Sequence, residues 1–198
     1  MTDSTRLQDF IDALTQVVEQ SSNDEARLFS AGKPLLSELV SHDDWLPEAF
    51  AQPSSERYQQ YLLYCDPQER FSIVSFAWGP GQTTPIHDHT IWGMVGILRG
   101  AETCEEFVID AATGQLRPNG THQLLPGSVD LVSPRVGDIH RVTNALADRP
   151  SVSIHVYGGN IGTLARHTYA ADSGAMQRFV SGYSAVAETP GKHPQATG

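Results

Sequence analysis

Cysteine appears only twice in 198 residues, at Cys65 and Cys104. That excludes the disulfide framework of a small secreted domain and makes a reducing, cytoplasmic setting the expectation. Long hydrophobic runs are also missing. A membrane-spanning helix needs about 20 apolar residues, and the longest runs here, such as FSIVSFAW, are far shorter. The N-terminal stretch has neither a basic leader nor a continuous apolar segment, so no signal peptide is expected. Positive charge is scarce: 13 Lys and Arg face 23 Asp and Glu, for a formal net charge of −10. A chain of that sign is not built to hold nucleic acid or anionic lipid, which both call for basic patches. No G-x-G-x-x-G follows a strand-like segment, so no nicotinamide or flavin is expected.

What is present fits one domain with a full core. Leu7, Phe10, Ile11, Leu14, Val17 and Val18 recur at helical period, and Thr5 with Gln8 has the spacing of a capping box. A second helix is expected over 24–41, with Pro34 breaking or restarting it. The LPEAF segment, 46–50, reads as a short helical turn. From about residue 57 the period changes to two. Short β-rich segments are then separated by Gly, Pro, Asn and Asp clusters, the pattern of an all-β barrel or double-sheet jelly roll. The expected organisation is an N-terminal helical segment over 1–50, a β-barrel over 51–183, and a polar, loose tail over 184–198.

The stretch PIHDHTIWG, residues 85–93, places His87 and His89 on one strand face with Asp88 on the other. Two imidazoles on one face can share a metal ion, or form a hydrogen-bonded polar pair. Downstream, PRVGDIHRVTN adds His140. Together, Gly81…His87-x-His89…Gly100 and Pro134…Gly137…His140…Asn144 resemble the two-part signature of the cupin superfamily. That resemblance implies a double-stranded β-helix, with His87, His89 and His140 as metal ligands. One departure matters. The Glu that usually follows the His pair is absent, and no carboxylate appears before Glu102. Three neutral ligands leave a divalent ion its full charge and open positions, which suits an anionic, chelating substrate. Imidazoles alone fit iron, zinc, copper or nickel. A closed four-ligand structural zinc lacks its fourth ligand.

A second constellation is SVSIHVYGG. Ser153, His155 and Tyr157 alternate onto one strand face and have the groups for a hydrogen-bonded chain. The alternative is a solvent-facing polar strand with Val152, Ile154 and Val156 buried. With PIHDHT and His140, this run makes residues 55–170 similar to the thiol dioxygenases, the cysteine dioxygenase family of small cupins. The resemblance implies Fe(II) on the three histidines and an outer relay of Ser153, His155 and Tyr157. It also implies a small thiol and O₂ as substrates, and a sulfinate as product. Partners in nucleic acid or membrane are not expected, and the chain is expected to be a monomer or weak homo-oligomer.

Animal-type enzymes hold the substrate carboxylate with an Arg in a RYxR segment, where this chain has RYQQ and Gln60. They also carry a thioether-forming Cys after the His pair, where this chain has Gly93. Gly158-Gly159 replaces a Ser-Pro pair, and NIGTLARHTY follows with Arg166. These changes resemble the bacterial Gln-type branch, in particular 3-mercaptopropionate dioxygenase, and imply that Arg166 takes the carboxylate with Gln60 nearby. A guanidinium fork matches a carboxylate, whereas the neutral Gln60 amide discriminates weakly for a zwitterion. L-cysteine is the alternative substrate. A non-catalytic, metal-dependent cupin that binds or senses a small molecule is the alternative of another class, and a zinc isomerase is a third. His42, His122, His167 and His193 read as surface or packing residues, and Trp78 and Trp92 as walls.

Overall fold

A computed structural model describes residues 4–22 and 24–186. Two helices come first, α1 (Ser4–Ser21) and α2 (Glu25–Val40). Their apolar stripes bury Phe10, Ile11 and Leu14 from α1, and Leu28, Phe29, Leu36, Leu39 and Val40 from α2. Asp24 caps α2 by accepting the Arg27 N–H at 3.0 Å, which satisfies one of the free donors of the first turn. Two local expectations are corrected. Thr5 lies inside α1, and the Gln8 amide donates to Asp12 Oδ1 at 2.8 Å, so no capping box at Thr5 starts the helix. Pro34 sits within α2 without ending it. It is exposed, as is Ser30 one turn earlier, so the carbonyl that loses its N–H partner turns to water.

After a 3₁₀ turn at Glu48–Phe50 the chain is β-structure. The strands are β1 (Gln59–Cys65), β2 (Ser72–Trp78), β3 (Ile86–His87), β4 (Gly93–Arg99), β5 (Glu102–Ile109), β6 (Leu116–Leu124), β7 (Val129–Val132), β8 (Ile139–Asn144), β9 (Ser151–Tyr157), β10 (Arg166–Tyr169) and β11 (Met176–Phe179). They form two antiparallel sheets, ordered β1-β2-β9-β4-β7 and β11-β10-β3-β8-β5-β6. This is the expected architecture, a double-stranded β-helix with helices at its N-terminal side. Most of the tail expected over 184–198 lies outside the described residues, as do His193 and residues 1–3.

The five-stranded sheet is buried on both faces, and this decides what its strands can carry. Its outer face meets the helices: Ile73, Met94, Leu98, Val152, Ile154 and Val156 share one core with Leu14, Phe29 and Leu36. Each such aliphatic side chain contributes about 1.5–3 kcal/mol through burial. Its inner face looks into the barrel, where Val74, Phe76, Trp78, Val142 and Tyr157 cluster. Every residue of β9 is therefore buried. Its apolar positions face the helices, and its polar positions Ser153, His155 and Tyr157 face inward, not toward solvent.

Candidate metal centre

Strand register puts His87 on β3 directly opposite His140 on β8. His89 arrives differently. Pairing of β3 ends at His87, and the chain turns through Thr90, whose φ of 62° is unusual for a β-branched residue. Asp138 holds this turn. Its carboxylate accepts the His89 N–H at 2.9 Å, the Thr90 N–H at 3.0 Å, and the His89 Nδ1–H at 3.0 Å. Burial pushes the Asp138 carboxyl up, but these hydrogen bonds outweigh it and keep its pKa below the usual value.

The three rings lie with centroids 4.8–4.9 Å apart, and each offers a nitrogen within 4.8 Å of the others. The opposite nitrogens are engaged. His87 Nδ1 donates to the Pro85 carbonyl at 3.0 Å, His89 Nδ1 to Asp138, and His140 Nδ1 lies 3.5 Å from Cys104 Sγ. The carbonyl and carboxylate partners fix Nε2 of His87 and of His89 as lone-pair donors, and the three rings converge. His89 Nε2 is buried and has no hydrogen-bond partner. An orphaned buried nitrogen between two more imidazoles fits a divalent cation. Burial and then the neighbouring His89 lower His87 to about 3, and burial with the charges of His87 and His89 takes His140 well below its ordinary value. Both rings stay neutral across physiological pH, as ligands must.

The site opens into a cavity of about 370 Å³, lined by Tyr58, Gln60, Phe76, Trp78, His155, Tyr157 and Arg166 among others. Tyr157 donates to or accepts from His155 Nδ1 at 2.8 Å, and His155 Nε2 lies 2.9 Å from Ser153 Oγ. The Tyr157 ring stacks on His89 at 5.5 Å, and burial pushes its phenol well up from the ordinary value. Gly93 lets this ring sit where it does: a Cβ there would lie 2.9 Å from Tyr157 Cδ1. Gly158 allows a similar close approach by the Trp92 indole.

Arg166 is 4% exposed and, among the described residues, pairs with no carboxylate. One terminal nitrogen donates to Ser181 Oγ at 2.8 Å, its Nε has no partner, and its guanidinium lies 4.7 Å over the Phe179 ring. An unpaired buried cation beside a cavity attracts an anion. Gln60 Nε2 donates to Ser181 Oγ and to the Gly182 carbonyl, both at 3.1 Å. His167 faces the other way, to Asp88 Oδ2 at 2.9 Å. The structure thus gathers His87, His89, His140, His155, Tyr157, Arg166 and Gln60 at one cavity, with Ser153 one layer behind.

Three contributors were not singled out from sequence. Asp138 was legible, since it lies two residues before His140 and alternation puts both on one face. Trp78, expected only as a wall, also donates from Nε1 to Ser153 Oγ at 3.1 Å. Ser181 lies in a segment with no motif. His122 and His42 pair with Asp130 and Glu38, and both cysteines are free thiols.

The Cysteine dioxygenase type I family matches residues 3–169. The chain belongs to this family. A curated family relative, Cysteine dioxygenase type 1 of Danio rerio, is 26% identical over 154 residues, covering 76% of this chain and 73% of the relative. Among solved structures, a conserved protein with a double-stranded beta-helix domain from Klebsiella pneumoniae is similar at 16% identity and a TM-score of 0.45, covering 60% of this chain and 93% of that one. An oxalate oxidase structure is similar at 14% identity and a TM-score of 0.38, and covers 46% of this chain. This chain spans 42% of that oxidase chain. No helix among the described residues is long and apolar enough to cross a membrane.

Proposed function

We propose that the protein is a thiol dioxygenase that adds both atoms of O₂ to the sulfur of a small thiol carboxylate, yielding the sulfinate, with 3-mercaptopropionate as the favoured substrate. The observation that carries this reading is the pairing, across one cavity, of three convergent imidazoles with a buried guanidinium that has no carboxylate partner among the described residues. His87, His89 and His140 would hold Fe(II). When bound, the ion supplies the redox chemistry toward O₂ and acidifies a coordinated thiol. All four electrons for O₂ come from the thiolate sulfur, so no external reductant is required.

The chain's own groups do the rest. Arg166 orients the substrate carboxylate, since a guanidinium donates two parallel N–H bonds to such a group. Tyr58, Phe76 and Trp78 form an aromatic wall, with ring centroids 4.7–5.9 Å apart, that excludes water around the sulfur. Tyr157 holds a proton at its Oη within the cavity, positioned by His155 and Ser153. A second reading, L-cysteine as substrate, draws support from Gln60. Both of its amide hydrogens are engaged by Ser181 and Gly182, which leaves Oε1 as an acceptor for an ammonium group.

Oxygen uptake by Fe(II)-loaded protein, measured with 3-mercaptopropionate, L-cysteine and a thiol lacking a carboxylate, tests both readings. Uptake with sulfinate formation and a preference for 3-mercaptopropionate is expected. A large preference for L-cysteine moves the assignment to the second reading. No uptake with any thiol refutes dioxygenase function in favour of a binding or sensing cupin. His140→Ala is expected to lose both iron and activity, and full retention of either overturns the ligand set.

A further inference from the structure

Behind His140, at its Nδ1 side, lies a second cluster of metal-binding groups. Cys104 of β5 stands directly opposite His122 of β6, and Asp130 of β7 comes from the other sheet. The Cys104 sulfur, a His122 ring nitrogen and an Asp130 oxygen all lie within 4.8 Å of one another. Alternation along β5 adds Glu106 to the Cys104 face. Each His122 nitrogen meets a carboxylate: Nε2 is 2.9 Å from Asp130 Oδ2, and Nδ1 is 3.8 Å from Glu106 Oε1. The Cys104 sulfur is buried and lies 3.5 Å from His140 Nδ1. A cavity of about 50 Å³, lined in part by Cys104, Glu106, Asp130 and His140, adjoins the cluster. A water needs about 10–15 Å³, so there is room for an ion with a water beside it.

Charge at this cluster is one-sided. Among the described residues neither Asp130 nor Glu106 pairs with a Lys or Arg, and His122 is the one basic group that both meet. Glu102, two residues before Cys104 on the same face, is fully buried, and burial pushes its carboxyl up to about 8, so it is mostly neutral. Burial first, and then the Asp130 and Glu106 carboxylates, hold the proton on the Cys104 thiol. The same negative potential favours a divalent cation in place of that proton. His122 and Asp130 are partly exposed and do not line the substrate cavity, so an ion reaches them from solvent by a separate path.

We propose that Cys104, His122 and Asp130 form a second divalent-metal site, of the kind that takes zinc. Thiolate sulfur, imidazole nitrogen and carboxylate oxygen are the donors zinc uses in proteins. The thiolate sets this site apart from the all-imidazole centre beside it and shifts its preference toward zinc. One thiolate and one carboxylate balance the charge of a divalent ion, so no net charge is left at a partly buried place. Ligand atoms around a tetrahedral zinc stand about 3.3–3.6 Å apart. The 2.9 Å contact between His122 and Asp130 has to open by about 0.4 Å. The sulfur, within 4.8 Å of both, has at most about 1.3 Å to close. The ion takes the place of the thiol proton, which passes to solvent, and nothing is oxidised or reduced. The fourth position falls to a water in the adjoining cavity or to Glu106. The ion would join strands of both sheets behind His140. The inference does not depend on the thiol dioxygenase reading, and its test needs no turnover.

Cobalt(II) added to the full chain without O₂ reads the sulfur directly. Wild type should gain a near-ultraviolet thiolate-to-cobalt charge-transfer band, which three imidazoles cannot give. Cys104→Ser should lose the band. Cys65→Ser should keep it, since Cys65 is the other thiol of the chain and lies outside the cluster. His87→Ala, which damages the first centre, should also keep it. Zinc retained after dialysis should be two per chain in wild type and one in Cys104→Ser. Because Cys104 is buried, a variant at partly exposed His122 guards against a folding defect. His122→Ala is expected to lower zinc affinity at this site on the order of a hundredfold with the fold intact by circular dichroism. The proposal is overturned if wild type gives no charge-transfer band or holds a single zinc, or if the band survives in Cys104→Ser. It is also overturned if His87→Ala abolishes the band, which would put the thiolate at the first centre, or if His122→Ala binds both zinc ions as tightly as wild type.

Discussion

Substituting Gly93 by Ala tests how tightly the relay tyrosine is held. Gly93 of β4 is register-paired with Tyr157 on one side and Val132 on the other. A methyl there would lie 2.9 Å from Tyr157 Cδ1, 3.1 Å from Tyr157 Cε1 and 2.9 Å from Val132 Cγ2. Ordinary carbon contacts need about 3.5–4.0 Å, so the ring must retreat by about 0.5 Å or more. It has little freedom to do so, because it stacks on His89 and is bonded to His155 Nδ1 at 2.8 Å. Overpacking of this kind costs about 1–3 kcal/mol, and a weakened buried hydrogen bond adds about 1 kcal/mol. At about 2–4 °C per kcal/mol for a chain of this size, Tm should fall by about 5–15 °C. Calorimetric unfolding reads the stability, and oxygen uptake reads the effect on Tyr157, expected as a loss in kcat greater than the loss in iron content. An Ala variant that matches wild type in Tm and in kcat would show that the ring is not confined as described.

Three further outcomes are expected. Asp138→Asn should weaken metal binding by about 10–100-fold in chelator competition while the fold persists, because the charged acceptor that orients His89 is lost; unchanged affinity would refute that role. Glu102→Gln should match wild type in stability at pH 4, where both side chains are neutral. The folded carboxyl has its pKa raised from 4.5 to about 8, so the folded state holds a proton that the unfolded state releases, and wild-type stability is lost relative to the variant as pH rises through that window. The ceiling is about 5 kcal/mol, at about 1.4 kcal/mol per pH unit, and parallel stability curves from pH 4 to 8.5 would contradict the assignment. Pro34→Ala should raise stability by about 1–3 kcal/mol in denaturant unfolding, since it restores a helix hydrogen bond at an exposed position; a loss would show that the proline ring makes a contact worth more than that bond.

Local pattern carried much of the fold and the site. Alternation marked β9 and placed Ser153, His155 and Tyr157 on one face, and helical period marked α1 and α2, because these depend on residues close in sequence. It misjudged α2 at Pro34, since whether a missing N–H breaks a helix depends on which side of the helix faces water. His87, His89 and His140 were legible as a set through the resemblance of their two motifs to the cupin signature; the His87-x-His89 spacing alone left a polar pair open.

Direction and depth belong to the folded chain. Whether the polar face of β9 meets solvent or the barrel interior follows from the helices covering its other face, a contact between segments more than a hundred residues apart. The pairing of His87 with His140 is a matter of register between distant strands. Ser181 reaches Gln60 and Arg166 only because the segment after β11 returns to the cavity, and Glu102 meets Ser151 only because the two sheets face each other. Hydrogen bonds and burial act over a few ångströms in space, whatever the separation in sequence, so composition and spacing name the groups while packing decides which of them share a proton or a charge.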